Sequence, residues 1–141
     1  KKEGLNVEFK GFSAGTFSVK ALLKGEAHYA ATTSSNFVSY SFDHQHLRIL
    51  SNICSFNTME ILGRKDRGIL SPKDLEGKSI GITFKTSAEF DLMRFLTYHG
   101  IDEKTLIKKN FKPNELKEAL KKGEVDCVIT WKPHSYKIPS G

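Results

Sequence analysis

The spacing of apolar residues along this chain switches repeatedly from the two-residue alternation of a strand to helical spacing and back, and that succession constrains the fold more than any other feature. Asn6-Val7-Glu8-Phe9-Lys10 alternates as a half-buried strand does, and Gly11 ends it. A helix should follow, capped by Ser13 or Thr16, with Phe17, Val19, Ala21, Leu22 and Leu23 as its apolar positions and Gly25 in the left-handed stop position. Ala27–Ala31 reads as a short buried strand. Thr32–Asn36 is a polar cluster leading into a short helix at Phe37–Tyr40, and Leu47–Ile53 and Thr58–Leu62 read as extended.

Further along, Ser71-Pro72 opens a single helical turn that ends by Gly77. Lys78–Phe84 is a strand, and Thr86-Ser87 caps a helix to His99 whose buried side is Phe90, Leu92, Met93, Phe95 and Leu96, with Gly100 as its stop. Leu106–Asn110 (strand), Pro113–Lys122 (helix) and Val125–Trp131 (strand) complete the pattern. Strand and helix in alternation imply parallel pairing through right-handed crossovers, hence an α/β class, with ligand-bearing loops at the carboxyl ends of the strands.

Composition narrows the function. The chain has 141 residues, 38% hydrophobic and 27% charged, which suffices for one core or two small ones. No apolar run reaches the ~18 residues of a membrane span, and Lys1-Lys2-Glu3-Gly4 lacks a signal-peptide core, so the chain reads as soluble as it stands, with an export signal removed or lying elsewhere. The net charge of +6 lies in short lysine runs interleaved with Glu115, Glu118 and Glu124, the pattern of a solvated helix face, and the four arginines are scattered, which argues against a nucleic-acid surface. Cys54 and Cys127 sit among apolar neighbours without metal-ligand spacing and read as buried free thiols rather than a disulfide. His28, His44, His46, His99 and His134 make no metal-binding pattern, and nucleophile-elbow, phosphate-loop and dinucleotide motifs are missing, so neither a cofactor nor catalysis is expected.

Ala21-Leu22-Leu23-Lys24-Gly25-Glu26 returns as Ala119-Leu120-Lys121-Lys122-Gly123-Glu124, each time closing a helix on glycine before a short strand. Two similar units would produce this echo; so would chance in any α/β chain.

Taken in order, Lys2–Glu8, Ala21–Glu26, Asp74-Leu75-Glu76-Gly77-Lys78-Ser79-Ile80-Gly81-Ile82, Gly123-Glu124-Val125-Asp126 and Trp131-Lys132-Pro133-His134 resemble the substrate-binding proteins of ABC importers, in the nitrate, sulfonate, taurine and thiamine-precursor (NMT1/THI5-like) group. The resemblance implies a two-lobed type II periplasmic-binding-protein fold, here incomplete. It divides the chain into part of a first lobe (1–63), a linker or hinge (64–77) and part of a second lobe (78–141). His28, Cys127 and Lys132 depart from the pattern, standing where aspartate, alanine and glutamate are usual.

It also implies a non-enzymatic receptor, periplasmic or extracellular, with or without a lipid anchor. Such a receptor holds a small anionic or zwitterionic molecule between its lobes and delivers it to the membrane permease of an ABC transporter. The alternatives are a sensing module of a membrane signalling protein, and a pyrimidine-making enzyme whose cysteine-rich motif this chain lacks. The ligand-binding candidates are Thr33, Ser34 and Ser35 on the first lobe and Thr86 and Ser87 on the second, both at helix N-termini that suit an anion, although plain capping explains them equally well. Trp131 stands at a strand end, as cleft wall or core filler, and Asn57, with Ser55, lies near the crossing between lobes.

Overall fold

The computed structural model describes residues 3–55 and 59–137. A four-stranded sheet is formed by β1 (Met59–Gly63), β2 (Ser79–Ile82), β3 (Ile107–Asn110) and β4 (Cys127–Trp131), in the spatial order β1-β4-β2-β3. β2 runs parallel to β3 (Ser79↔Ile107 to Ile82↔Asn110) and to β4 (Ile80↔Cys127, Gly81↔Val128), as the helical crossovers between them require. β1 departs from the expected all-parallel sheet: it lies antiparallel to β4, with Met59 opposite Trp131 and Gly63 opposite Cys127. The crossover rule binds strands joined by a packed helix, and the 64–78 connection contains only the 3₁₀ turns Lys65–Arg67 and Pro72–Leu75.

Alternation along the strands sends side chains to two cores. Ile80, Ile82, Cys127 and Ile129 face Ala88, Leu92 and Leu96 of helix α3 (Ser87–His99), while Val128 and Val125 face Leu116, Ala119 and Leu120 of helix α4 (Leu116–Lys122). Burying each such Leu, Ile or Val is worth about 1.5–3 kcal/mol, so β4, enclosed on both faces, is the strand the others depend on. α3 starts on the Thr86 cap and stops at Gly100, whose φ of 62° is the left-handed conformation a glycine adopts without strain. Its buried stripe is narrower than expected: Phe90 and Met93 are about half exposed (47% and 49%), because positions 88, 92 and 96 already align one residue per turn against the sheet. α4 begins at Leu116 rather than Pro113, after a turn in which Glu115 accepts the Lys112 N–H at 3.0 Å. It sits close on the sheet because Gly81 lies beneath it; a Cβ there would meet Val128 at 3.0 Å and Leu116 at 3.1 Å.

The first part of the chain forms helices α1 (Gly15–Leu23) and α2 (Ser34–Ser41). α1 is entered through Ala14, not through a Ser13 or Thr16 cap; the Thr16 hydroxyl is buried and lies 2.9 Å from that of Tyr40, tying α1 to α2. The strands expected at Asn6–Lys10 and Ala27–Ala31 do not form, and Leu47–Ile53 pairs with nothing either, leaving Val7, Phe9, Tyr29, Leu50 and Ile53 exposed. An alternating segment becomes a strand only beside a partner that takes its N–H and C=O groups, and among the described residues none lies next to these three. Cys127 is buried as expected. Cys54 is exposed, since the extended segment preceding it packs on no sheet, and both thiols are free.

A polar clip fixes where β2 and β4 begin. The Asp126 carboxylate accepts the Ser79 N–H at 2.9 Å and the Ser79 hydroxyl at 2.6 Å, while the Asp126 N–H donates to the Ser79 carbonyl at 2.9 Å. The Ser79 hydroxyl and N–H, ahead of Arg67, hold this carboxyl below its ordinary range. A depressed carboxyl pKa contributes stability that is present above the unfolded value, near ~4, and lost as pH falls through the folded one. Asp126→Asn should therefore lower the unfolding free energy of the whole protein by about 1 kcal/mol at pH 7. The difference from wild type should shrink below pH 4; urea titrations at pH 7 and pH 3.5 would check it.

Candidate functional site

The carboxyl ends of β2 and β4 and the amino end of the antiparallel β1 meet on one rim of the sheet. Of the second-lobe candidates, Thr86 is almost wholly engaged in folding. Its hydroxyl donates to the Thr83 carbonyl at 2.7 Å and accepts the Ala88 N–H at 3.2 Å, and the residue is 7% exposed. Ser87 is half-buried at the first turn of α3. Before it, Lys85 adopts φ 59°, a left-handed conformation that costs a non-glycine residue about 1–2 kcal/mol, and its N–H is held by the Glu89 carboxylate at 2.6 Å. Strain of this kind tends to persist at binding loops that the surroundings over-determine. Trp131 ends β4 on the α3 side, half-buried, packed against that core and edge-on to His134 at 5.6 Å, so it serves as core and as rim at once.

Of the first-lobe candidates, Thr33 caps α2, accepting the Asn36 N–H at 3.4 Å, with the Ser35 hydroxyl 3.1 Å away. Ser34 is exposed at the start of α2. The loop is fixed from both sides: the Ser18 hydroxyl donates to the Ala31 carbonyl at 2.6 Å, and Gly15 leaves room for Thr32, whose Oγ1 would lie 2.7 Å from a Cβ at that position. α2 packs against α3, so the helices carrying the two candidate loops are neighbours. Asn57 lies outside the described residues.

Several polar groups on the rim escaped the sequence reading. Glu60 stands opposite Thr130 across the β1–β4 ladder, and by alternation both share the α4 face with Leu62 and Val128. Lys132 forms an ion pair with Glu60 at 3.4 Å, and its ammonium lies 5.2 Å from the centre of the Tyr136 ring. The Ser135 hydroxyl, then Lys132, hold the Glu60 carboxyl below its usual range, whereas Tyr136 and then Glu60 push the Lys132 ammonium up. Among the described residues the hydroxyls of Thr83, Thr130 and Ser135 are buried without a hydrogen-bond partner; Ser135 influences Glu60 but does not bond to it in hydrogen-bonding geometry. A threonine inside the apolar run Cys127–Trp131 was the available signal for Thr130; for Glu60 and Lys132 only the register of β1 against β4 reveals the pairing.

A separate groove of about 720 Å³ runs along the outer edge of β1, lined by Met59, Ile61, Leu70, Phe95 and Tyr98 with Asp91 and Arg94, and desolvation raises the Asp91 carboxyl. None of the candidate ligand residues among those described lines it. Among the described residues no group of three His, Cys, Asp or Glu side chains is placed to hold a metal ion, and no helix is long and apolar enough to cross a membrane.

The sheet, its two helical layers and this rim define an α/β binding-protein fold. Over 96% of its length the chain superposes on a protein of Bordetella bronchiseptica RB50 with a TM-score of 0.70 and 21% identity, covering 44% of that chain. Over 89% it matches the periplasmic aliphatic sulphonate binding protein SsuA of Escherichia coli, with a TM-score of 0.66 and 19% identity, again covering 44% of that chain. In sequence it is 25% identical over 133 residues to the taurine-binding periplasmic protein of Escherichia coli (strain K12), which is 94% of this chain and 41% of that protein. Residues 1–137 match the family described as NMT1/THI5 like, and the chain belongs to that family. It spans less than half the length of these relatives.

The two thiols test the packing of the sheet. Burial, then the nearby Asp126 charge, pushes the Cys127 thiol up to about 12, so it has almost no thiolate at pH 8. Cys54 should react with a disulfide reagent within minutes while Cys127 stays unlabelled until denaturant is added. Peptide mass mapping of the labelled protein reads this directly, and early labelling at Cys127 would mean that β2 and β4 separate easily.

Proposed function

We infer that this chain is the part of a solute-binding protein that supplies portions of both lobes, and that the whole protein closes on a small anionic or zwitterionic molecule and presents it to the permease of an ABC importer. On this reading α1 and α2 belong to the first lobe and the sheet to the second. Met59–Gly63 is then grouped with the second lobe instead of the first, a division that its pairing with β4 supports. The whole protein works outside the cytoplasmic membrane and returns its solute unchanged, since binding energy shifts an open population toward a closed one and breaks no bond.

The observation that carries this reading is the rim itself. An α-helix N-terminus at Thr86-Ser87 and the ring of Trp131 stand at the carboxyl end of one parallel pair, in a family with sulfonate-binding and taurine-binding members. Thr33, Ser34 and Ser35, at the N-terminus of α2, are the proposed contribution from the opposite lobe; Asn57 is proposed as a further contact.

A ligand that binds only the folded state raises its stability by mass action, by about 2.7 kcal/mol at a hundred times Kd. A thermal-shift screen of the whole protein against small sulfonates, carboxylates and aminosulfonates should give a ligand-specific rise in Tm. Ser87→Tyr, which fills the rim from a half-exposed position, should remove that rise and leave the unliganded Tm within a few degrees. Conversion of the solute to a product during incubation would overturn the receptor reading in favour of an enzyme.

A further inference from the structure

β1 is an edge strand. In the order β1-β4-β2-β3 it has a neighbour on one side only, so among the described residues its outer row of N–H and C=O groups faces no other strand. Sheets usually blunt such an edge with a bulge, a proline, or charges that an incoming strand would have to bury. β1 has neither bulge nor proline: Met59 to Gly63 pair one for one with Trp131 to Cys127. Its single charge, Glu60, lies on the α4 face and is already paired with Lys132. The opposite face, with Met59 and Ile61, borders the groove of about 720 Å³, which Leu70 and Tyr98 also line although they are 79% and 86% exposed. An open strand edge beside an apolar groove is the arrangement that accepts another strand.

Charge and symmetry limit what that strand belongs to. Asp91 and Arg94 are the charged residues of the lining, one acid and one base, whereas the chain as a whole carries +6. Two copies of the chain repel one another over a basic surface and meet without net repulsion on this neutral one. A two-fold axis beside β1 sets the strand antiparallel to its own copy and reverses α3 with it. An isologous contact needs residue i against j and j against i, which an acid and a base about one turn apart on one helix supply. Within a single copy Asp91 is short of a counterion: burial, ahead of the opposing pull of Arg94, pushes its carboxyl up, and the Arg94 guanidinium lies 5.7 Å from the centre of the Phe90 ring. We propose that the chain pairs with a second copy of itself along β1, joining two four-stranded sheets edge to edge, with the acid and base of each α3 opposite the base and acid of the other. The proposal goes beyond the receptor reading and concerns the 141-residue chain itself.

The test is sedimentation velocity on the 141-residue chain at about 100 µM, a hundred times a micromolar Kd. A dimer is expected. Asp91→Arg and Arg94→Asp each put four like charges around the axis, and each should weaken the dimer at least about tenfold, or about 1.4 kcal/mol. Mixed in equal amounts, the two variants should pair again, because one then carries the bases and the other the acids. Variants that had merely failed to fold would not recover on mixing, and circular dichroism of each checks the fold separately. A monomer at that concentration, folded or unfolded, overturns the proposal and leaves the groove to another part of the whole protein. An assembly that neither reversal weakens, or a mixture of the two variants that does not pair, overturns it as well.

Discussion

The structure depends on β4 being held from both sides. It is the one strand with a parallel neighbour, β2, on one edge and an antiparallel neighbour, β1, on the other, and its residues Cys127–Thr130 are at most 1% exposed. α3 covers it through Cys127 and Ile129, α4 through Val128. Because side chains alternate strictly along a strand, a slip of one residue would turn Val128 toward α3 and Ile129 toward α4 and put Thr130 in the wrong core. The Asp126–Ser79 clip opposes that slip just ahead of the strand's first residue, using a charge-assisted hydrogen bond where a purely apolar register would be less specific.

Much of this was legible in the sequence because the signals were local. Thr86, Gly100 and Gly123 mark helix ends by side-chain capping or by a left-handed φ, and the structure has each of them in that role. The apolar run at Val125–Trp131 reads as a strand without any knowledge of its neighbours. The misread strands have one physical origin. Asn6–Lys10 and Ala27–Ala31 have strand patterning, but a strand is a property of two segments, and patterning says nothing about whether the second is present. The direction of β1 was missed similarly, since Thr58–Leu62 reads as extended in either orientation and its antiparallel course follows from which edge of β4 is vacant.

The candidate site was legible in outline and not in its chemistry. Helix N-termini at Thr33–Ser35 and Thr86-Ser87 can be found from capping residues alone, yet the structure commits Thr86 to the fold on both its donor and acceptor sides. Trp131 was ambiguous between core and rim, and its position on the α3 side of the last residue of β4 makes that ambiguity real, because one ring performs both tasks. Glu60 and Lys132 are separated by most of the described chain, and only a register between β1 and β4 brings them into contact. No single-residue propensity carries that information.

The two rims of the sheet differ in how their polar groups are matched. At the amino rim polar groups are matched: Arg64 donates to the Leu120 and Lys121 carbonyls at the end of α4 at 2.8 and 3.2 Å, Lys78 to the Arg67 carbonyl at 2.8 Å, Lys109 to the Glu124 carbonyl at 2.7 Å, and Asp126 takes two bonds from Ser79. At the carboxyl rim the reverse holds. Among the described residues Thr83, Thr130 and Ser135 are buried with unmet hydrogen-bonding capacity, at about 1–3 kcal/mol for each such group, and Lys85 carries left-handed backbone. A sequence selected only for stability would replace Thr130 by valine, which has nearly the same shape and no hydroxyl to satisfy. Among the described residues the buried hydroxyls left without partners thus gather at the end of the sheet where the proposed site lies, and each departs from the rule that buried polar groups are hydrogen-bonded.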